Sequence, residues 1–239
     1  ADRTSPLYQL DSPTDKVNVE SVRFLARLLK GTNIAWIQMS TREVFGLVYK
    51  KQDVFLTKNG YRPKWLVHEE WPYHPLNCYA KSKVVTEIIS ESHPFTNIIR
   101  LSSCYTDFNH QGGNWVLQII KNVLQKNQAS LTQGGLLFRD PLHVDDLAIL
   151  IDLILKKKIY GEKINAGGGK ENFISLLEFT KIVSANAKLE TSAGEDYGFA
   201  FDIQKAYQLT GWKPKVLIRE KIPILVKNVR QALKNSFKK

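Results

Sequence analysis

Short apolar runs of strand length recur along this chain, separated by segments whose apolar residues fall at helical spacing. No other feature constrains the fold as strongly. Residues 34–39 carry Ile34, Ala35, Trp36, Ile37 and Met39, residues 97–102 read N-I-I-R-L-S, and a third run covers 163–166. Runs this apolar predict strands of a parallel sheet covered on both faces. Helices are predicted at 17–29, where Val17, Val22, Leu25, Leu28 and Leu29 share a face and Gly31 stops the run, and at 79–90, 115–125 and 176–184. Others follow Asp145 through 155, cover 202–209, and close the chain at 219–237 with Pro223 in the first turn. Strand and helix in alternation predict a doubly wound α/β architecture. Residues 48–75, with Gly60, Pro63, Pro72 and Pro75, read as an elaborated loop crossing the ligand edge of the sheet.

A chain of 239 residues that is 43% apolar can bury a sizeable core, in one domain or two small ones. No apolar run approaches the roughly 18 residues of a membrane span. Residues 1–16 lack the basic start and apolar centre of a signal peptide, and the first residue is Ala1 rather than Met, which is consistent with removal of a segment upstream. Cys78 and Cys104 stand in no metal-type spacing, so both are expected as thiols in a reducing, cytoplasmic setting, with no metal site. The net charge of +11 suits phosphate-bearing ligands, nucleic acid, a membrane surface or a large assembly. The basic clusters Lys50-Lys51, Lys156-Lys157-Lys158 and Lys238-Lys239 are short and lack interleaved aromatics, which counts against dedicated nucleic-acid binding.

Open α/β sheets bind ligands at the carboxyl ends of their strands, so Ser40 and Thr41, at the end of the first run, are site candidates. The sharpest constellation is Tyr79-Ala80-Lys81-Ser82-Lys83, because residues four apart project from one helix face. A phenol titrating near about pH 10 is a poor proton carrier at neutrality, and an adjacent ammonium stabilises its phenolate.

In order along the chain stand S-T-R-E-V-F-G at 40–46, E-E-W-P-Y-H-P at 69–75, then Tyr79 and Lys83, with Asn18 in the preceding helix and Glu87 following. R-L-S-S-C-Y at 100–105, F-R-D-P-L-H-V-D-D-L-A at 138–148 and I-N-A-G-G-G at 164–169 continue the series. Together these segments resemble the extended short-chain dehydrogenase/reductase family of NAD-dependent epimerases, dehydratases and reductases. The Ser-Thr and Val-Phe of 40–45 look closest to dTDP-4-dehydrorhamnose reductase-like members. The resemblance implies a Rossmann-like sheet, N-terminally incomplete, with a small C-terminal substrate-binding subdomain. Residues 1–106 would form the remainder of the dinucleotide-binding domain, and 107–239 mainly the substrate part, with 141–168 returning to the sheet.

By that resemblance Tyr79 is the proton donor or acceptor, Lys83 lowers its pKa and holds the nicotinamide ribose, and Thr41 bonds the reacting oxygen. Ser40, Ser102 and Ser103 would join Tyr79 and Lys83 around NAD or NADP. Glu43, Tyr105 and Arg139 would contact a nucleoside-diphosphate sugar. Arg139 suits diphosphate oxygens, and an ion pair with Asp140 or Asp145 is the competing reading. His143 reads as structural, Asp145 or Asp146 as a helix cap, and Cys104 has no identified base.

Two departures shape the functional expectation. The dehydratases of this family place an acidic pair after the threonine, whereas this chain has Arg42 and Glu43, and a guanidinium releases no proton at neutral pH. Reduction or epimerisation is therefore favoured over dehydration. The glycine-rich turn that holds a pyrophosphate at a helix N-terminus does not occur in the sequence. The family would place two or more βα units, on the order of 60 residues, ahead of Ala1. A homo-oligomer or a partner chain covering the incomplete sheet is accordingly expected. A fragment of a longer enzyme, an inactive structural or assembly subunit, and a sensor that binds without turnover stay open beside the enzyme.

Overall fold

The structure, a computed structural model, describes residues 13–107 and 114–236. Helix α1 (Pro13–Leu29) leads into β1 (Trp36–Thr41), followed by a 3₁₀ turn at Arg42–Phe45. Next come β2 (Val54–Thr57), β3 (Gly60–Pro63), α2 (Cys78–Ser90), β4 (Thr96–Leu101) and β5 (Cys104–Tyr105). Then α3 (Trp115–Lys126), β6 (Gln128–Thr132), β7 (Phe138–Arg139), β8 (Leu142–His143), α4 (Val144–Lys156) and β9 (Lys163–Ala166) follow. The remainder is β10 (Ile174–Ser175), α5 (Leu176–Val183), β11 (Lys188–Ser192), α6 (Gln204–Thr210) and α7 (Ile218–Ser236).

The three predicted strands form one parallel sheet in the order β1-β4-β9, with Ser40 beside Arg100 and Arg100 beside Asn165. Among the described residues β1 pairs only with β4. The two faces of this sheet differ. Ile37, Met39, Ile99, Leu101, Ile164 and Ala166 pack with Leu147, Leu150 and Ile154 of α4 and with Ala206 and Trp212, which is an ordinary apolar core. The other face carries Gln38, Ser40, Arg100 and Asn165, all buried. A buried polar layer is stable only when its groups find partners. Here Arg100 pairs with Glu87 of α2 at 2.7 Å and donates to Glu69 O at 2.7 Å, and Ser40 donates to the same Glu87. Tyr73 donates to Glu87 at 2.6 Å, and Asn165 N donates to Glu69 at 2.9 Å.

A second core lies away from the sheet, where α3, α5 and α7 enclose Leu117, Ile120, Phe179, Leu225 and Val229. Its small parallel pair β6-β11 escaped the sequence reading, since Q-A-S-L-T and K-L-E-T-S carry too few apolar residues to announce strands.

Several expectations need correction. The first strand starts at Trp36 rather than residue 34 and runs through Thr41, so Ser40 and Thr41 are its last residues. The stretch 48–75 contains the antiparallel hairpin β2-β3, turned at Lys58-Asn59 with Thr57 opposite Gly60. Its Asn-Gly dipeptide was a readable hairpin signal. Pro223 falls in the second turn of α7, because the helix begins at Ile218. The cap of α4 is His143, whose Nδ1 accepts from Asp145 N at 3.2 Å, and neither Asp145 nor Asp146. Asp146 instead accepts from Lys215 N and Val216 N at 3.0 and 2.8 Å, tying the chain after α6 to α4. His143 is buried, as a structural histidine should be. Phe237, the last residue of the predicted final helix, lies outside the described residues.

Neither Cys78 nor Cys104 forms a disulfide among the described residues. None of the described helices is long and apolar enough to cross a membrane.

Candidate active site

The C-terminal end of β1 and the N-terminal turn of α2 meet at the predicted site. Asn77 caps α2 by accepting from Ala80 N at 2.8 Å and uses its amide to donate to Glu43 at 3.1 Å. One residue therefore starts the helix and ties it to the turn after β1. Thr41 ends β1 and caps that turn, its hydroxyl oxygen accepting from Glu43 N at 3.3 Å.

Tyr79 lies in the first turn of α2, nearly buried, and Lys83 lies one turn on with its ammonium 5.8 Å from the Tyr79 ring centre. Lys83 donates to Met39 O at 3.1 Å, two residues before Thr41. The structure places Thr41 at the end of β1 and Tyr79 and Lys83 in the first two turns of α2, with Lys83 bonded back to β1.

The other candidates divide. Ser40 is buried and faces inward to Glu87, so in this structure it belongs to the polar layer under the site. Ser102 donates to the Asp140 carboxylate and, at 2.8 Å, to Asp140 O. Ser103 is half-buried, and its carbonyl accepts from Leu142 N at 3.0 Å. Tyr105 is buried edge-on to the His143 ring, and burial, with Asp107 and Asp146 nearby, raises its pKa. Its hydroxyl has no hydrogen-bond partner among the described residues.

Arg139 departs from its ion-pair expectation. Its partner is neither Asp140 nor Asp145 but Asp196, at 2.7 Å, while its other arm donates to Phe138 O at 2.9 Å. Asp196 sits in a glycine-flanked segment far along the chain, and no periodicity pointed to it. Asp140 accepts from Phe201 N at 3.0 Å, and burial pushes its pKa up to about 7 against the pull of Ser102, Phe201 N and Arg42.

Arg42, singled out in the sequence only as a missing acid, is half-buried in the same cluster with its guanidinium 5.3 Å over the Phe199 ring. Burial first, and then the neighbouring Arg139, pull its pKa down to about 10, which leaves it cationic at neutral pH.

A profile of the RmlD substrate binding domain matches residues 10–194, most of the chain. The chain belongs to the RmlD substrate binding domain family. Membership bears out the resemblance to short-chain dehydrogenase/reductase proteins carried by the motifs. A curated relative, UDP-glucuronic acid decarboxylase 4 of Arabidopsis thaliana, is 25% identical over 95% of this chain and 52% of its own length. The chain thus spans about half the length of the curated relatives it matches first. Among solved structures, dTDP-glucose 4,6-dehydratase from Bacillus anthracis in complex with NAD superposes with a TM-score of 0.75 at 24% identity, over 92% of this chain and 69% of that one. The UDP-glucuronic acid 4-epimerase of Bacillus cereus, in complex with UDP-glucuronic acid and NAD, gives 0.73 at 23%, over 90% and 68%. These likenesses show the Rossmann-like fold of the family.

Proposed function

We propose that this chain carries the proton-transfer machinery for NAD(P)-dependent reduction or epimerisation of a nucleoside-diphosphate sugar. The observation that carries the reading is the Tyr79 and Lys83 pair, one helical turn apart, with Lys83 fastened to the end of β1 by its 3.1 Å bond to Met39 O. Ammonium and phenol held on one face favour the phenolate, so Tyr79 exchanges a proton with a sugar hydroxyl or carbonyl. Thr41, fixed at the strand end, donates to the same oxygen and orients it.

Tyr79, Lys83, Ser102 and Ser103 fit the nicotinamide-ribose side of a dinucleotide, since they supply hydroxyl and ammonium groups where a parallel sheet opens to ligands. The nicotinamide, when bound, accepts or donates the hydride. Arg139 and Tyr105 serve the nucleotide-sugar side, with Glu43 near the sugar. In this reading residues 1–106, with 141–168, form the cofactor part and the rest of 107–239 the substrate part, in a cytoplasmic protein. The pairing of β1 with β4 alone among the described residues supports a further element of the reading, that a second copy or a partner chain lies against β1.

The test titrates the chain with NADH and NADPH by nicotinamide fluorescence and then assays turnover of UDP- and dTDP-sugars. Tyr79→Phe is expected to abolish turnover while leaving cofactor affinity nearly unchanged. Equal turnover by wild type and variant would remove Tyr79 from the chemistry.

A further inference from the structure

A cavity of about 630 Å³ opens beside the hairpin β2-β3, and the proposed reaction gives it no task. Its size lies within the roughly 300–1,000 Å³ of small-molecule sites. The hairpin and the residues that follow it form one wall, the turn 170–173 after β9 a second, and Asp202 and Arg219 complete it. None of the residues assigned to proton transfer, cofactor or nucleotide sugar is among those that line it. The hairpin wall is fixed to the body of the protein, because Tyr61 N donates to Leu136 O at 2.7 Å and Ser175 donates to Asn59 O.

Part of the charge in this cavity is locked in place. Arg62 and Arg219 converge on the largely buried Glu178, one on each oxygen, at 2.8 and 2.7 Å. Arg219 also donates to Glu171 O at 2.9 Å and to Phe173 O at 2.7 Å. Two guanidiniums on one carboxylate leave a positive charge over. Lys64 and Lys170 are exposed at the cavity, and among the described residues neither ammonium joins an ion pair. Glu171 and Asp202 oppose them, and Asp202 already accepts from Gln204 N at 2.8 Å. Cations therefore outnumber carboxylates around the cavity, which favours an anion.

An aromatic surface stands beside that charge. Phe55 and Arg62 are directly opposite one another across the hairpin, so ring and guanidinium leave the same face of it. Phe55 is 50% exposed, and among the described residues its ring stacks on no other aromatic. A phenyl ring left half in water next to fixed cations is an unused stacking surface. We propose that this cavity is a second ligand site, for a small phosphate ester that carries a planar aromatic ring, with the ring on Phe55 and the phosphate held by Lys64 and Lys170. Ammonium groups on flexible stems bind phosphate as point charges, and stacking on Phe55 selects for the ring. Nucleotides and other aryl phosphates share this chemistry.

The experiment measures calorimetric dissociation constants of AMP, phenyl phosphate, adenosine and inorganic phosphate for wild type, for the double variant Lys64→Gln with Lys170→Gln, and for Phe55→Ser, with a thermal melt of each. The three replaced side chains are exposed, so the variants are expected to fold. Wild type should bind AMP and phenyl phosphate with dissociation constants below about 1 mM, and adenosine or inorganic phosphate at least about tenfold more weakly. The lysine double variant should weaken both esters at least about tenfold, and Phe55→Ser at least about fivefold while leaving inorganic phosphate unchanged. A preference for AMP over phenyl phosphate identifies the ring as a nucleobase, the reverse preference identifies another aryl group, and either keeps the site. Failure of both esters to bind below about 10 mM, adenosine or inorganic phosphate binding as tightly as the esters, or ester affinities unchanged in either folded variant overturns the assignment. If one variant does not fold, the other decides.

Discussion

Arg100 and Glu87 form an ion pair at 2.7 Å whose two side chains are almost wholly buried, in the layer between the sheet and the helix bearing Tyr79. Glu87 also receives Ser40 and Tyr73, so its two oxygens tie the helix that bears it to two strands and a loop. Removing one partner leaves a buried charge with no counterion. Glu87→Ala is expected to cost about 3–5 kcal/mol in urea unfolding, and the apolar double replacement Glu87→Leu with Arg100→Met to recover much of it. A loss under about 1 kcal/mol for the single variant would show that the pair is not a keystone of the layer.

In the proposed reaction Lys83 stabilises the Tyr79 phenolate. Lys83→Met is expected to lower turnover by about a hundredfold or more and to move the rise of the pH-rate profile to higher pH, as the phenol loses its cation. An unshifted profile would confine Lys83 to holding the strand end through Met39 O.

Asp140 titrates from a pKa pushed up to about 7 by burial, against an ordinary value of 3.8. A raised folded-state pKa means that the folded protein holds the proton more tightly than the unfolded one. The stabilising contribution is complete below about pH 4 and is lost as pH rises through about 7. The stability of wild type relative to Asp140→Asn should therefore fall between those limits and level off above them. A difference independent of pH, measured by urea unfolding at several pH values, would contradict the shift.

Gly168 lies in the turn after β9, where an added Cβ would run into the Pro141 carbonyl oxygen and the Asn172 side chain. A backbone atom cannot step aside as a flexible side chain can. Gly168→Ala is expected to cost about 3 kcal/mol, read from denaturant midpoints. Gly161→Ala meets nothing within 4 Å and carries only the strain of its positive φ of 77°, so it should cost less.

The sheet, its helices and the shared helix face of Tyr79 and Lys83 were legible because each depends on local spacing. Ile37, Met39 and Ile99 announce a strand, and residues four apart announce a shared helix face. Partner choice across the chain was not legible. Arg139 could have met Asp140 or Asp145 by proximity in sequence, and its partner Asp196 is set by how residues 196–199 fold back against β7. The polar sheet face was hidden for the same reason. Gln38, Ser40 and Arg100 look like interruptions in apolar runs until Glu87 and Glu69 are brought over them. The hairpin at 54–63 rests on local information as well, the Asn59-Gly60 dipeptide at its turn.

The unlike faces of the sheet also govern what can lie against the side of β1 away from β4. Side chains alternate along a strand, so Gln38 and Ser40 mark one phase and Ile37 and Met39 the other. A strand laid there in phase would present polar groups to the charged layer and apolar groups to α4. A strand displaced by one residue would set hydrocarbon against Arg100 and Glu87. The rim of β1 therefore works as a grammar for its neighbour, admitting one reading frame and rejecting the next.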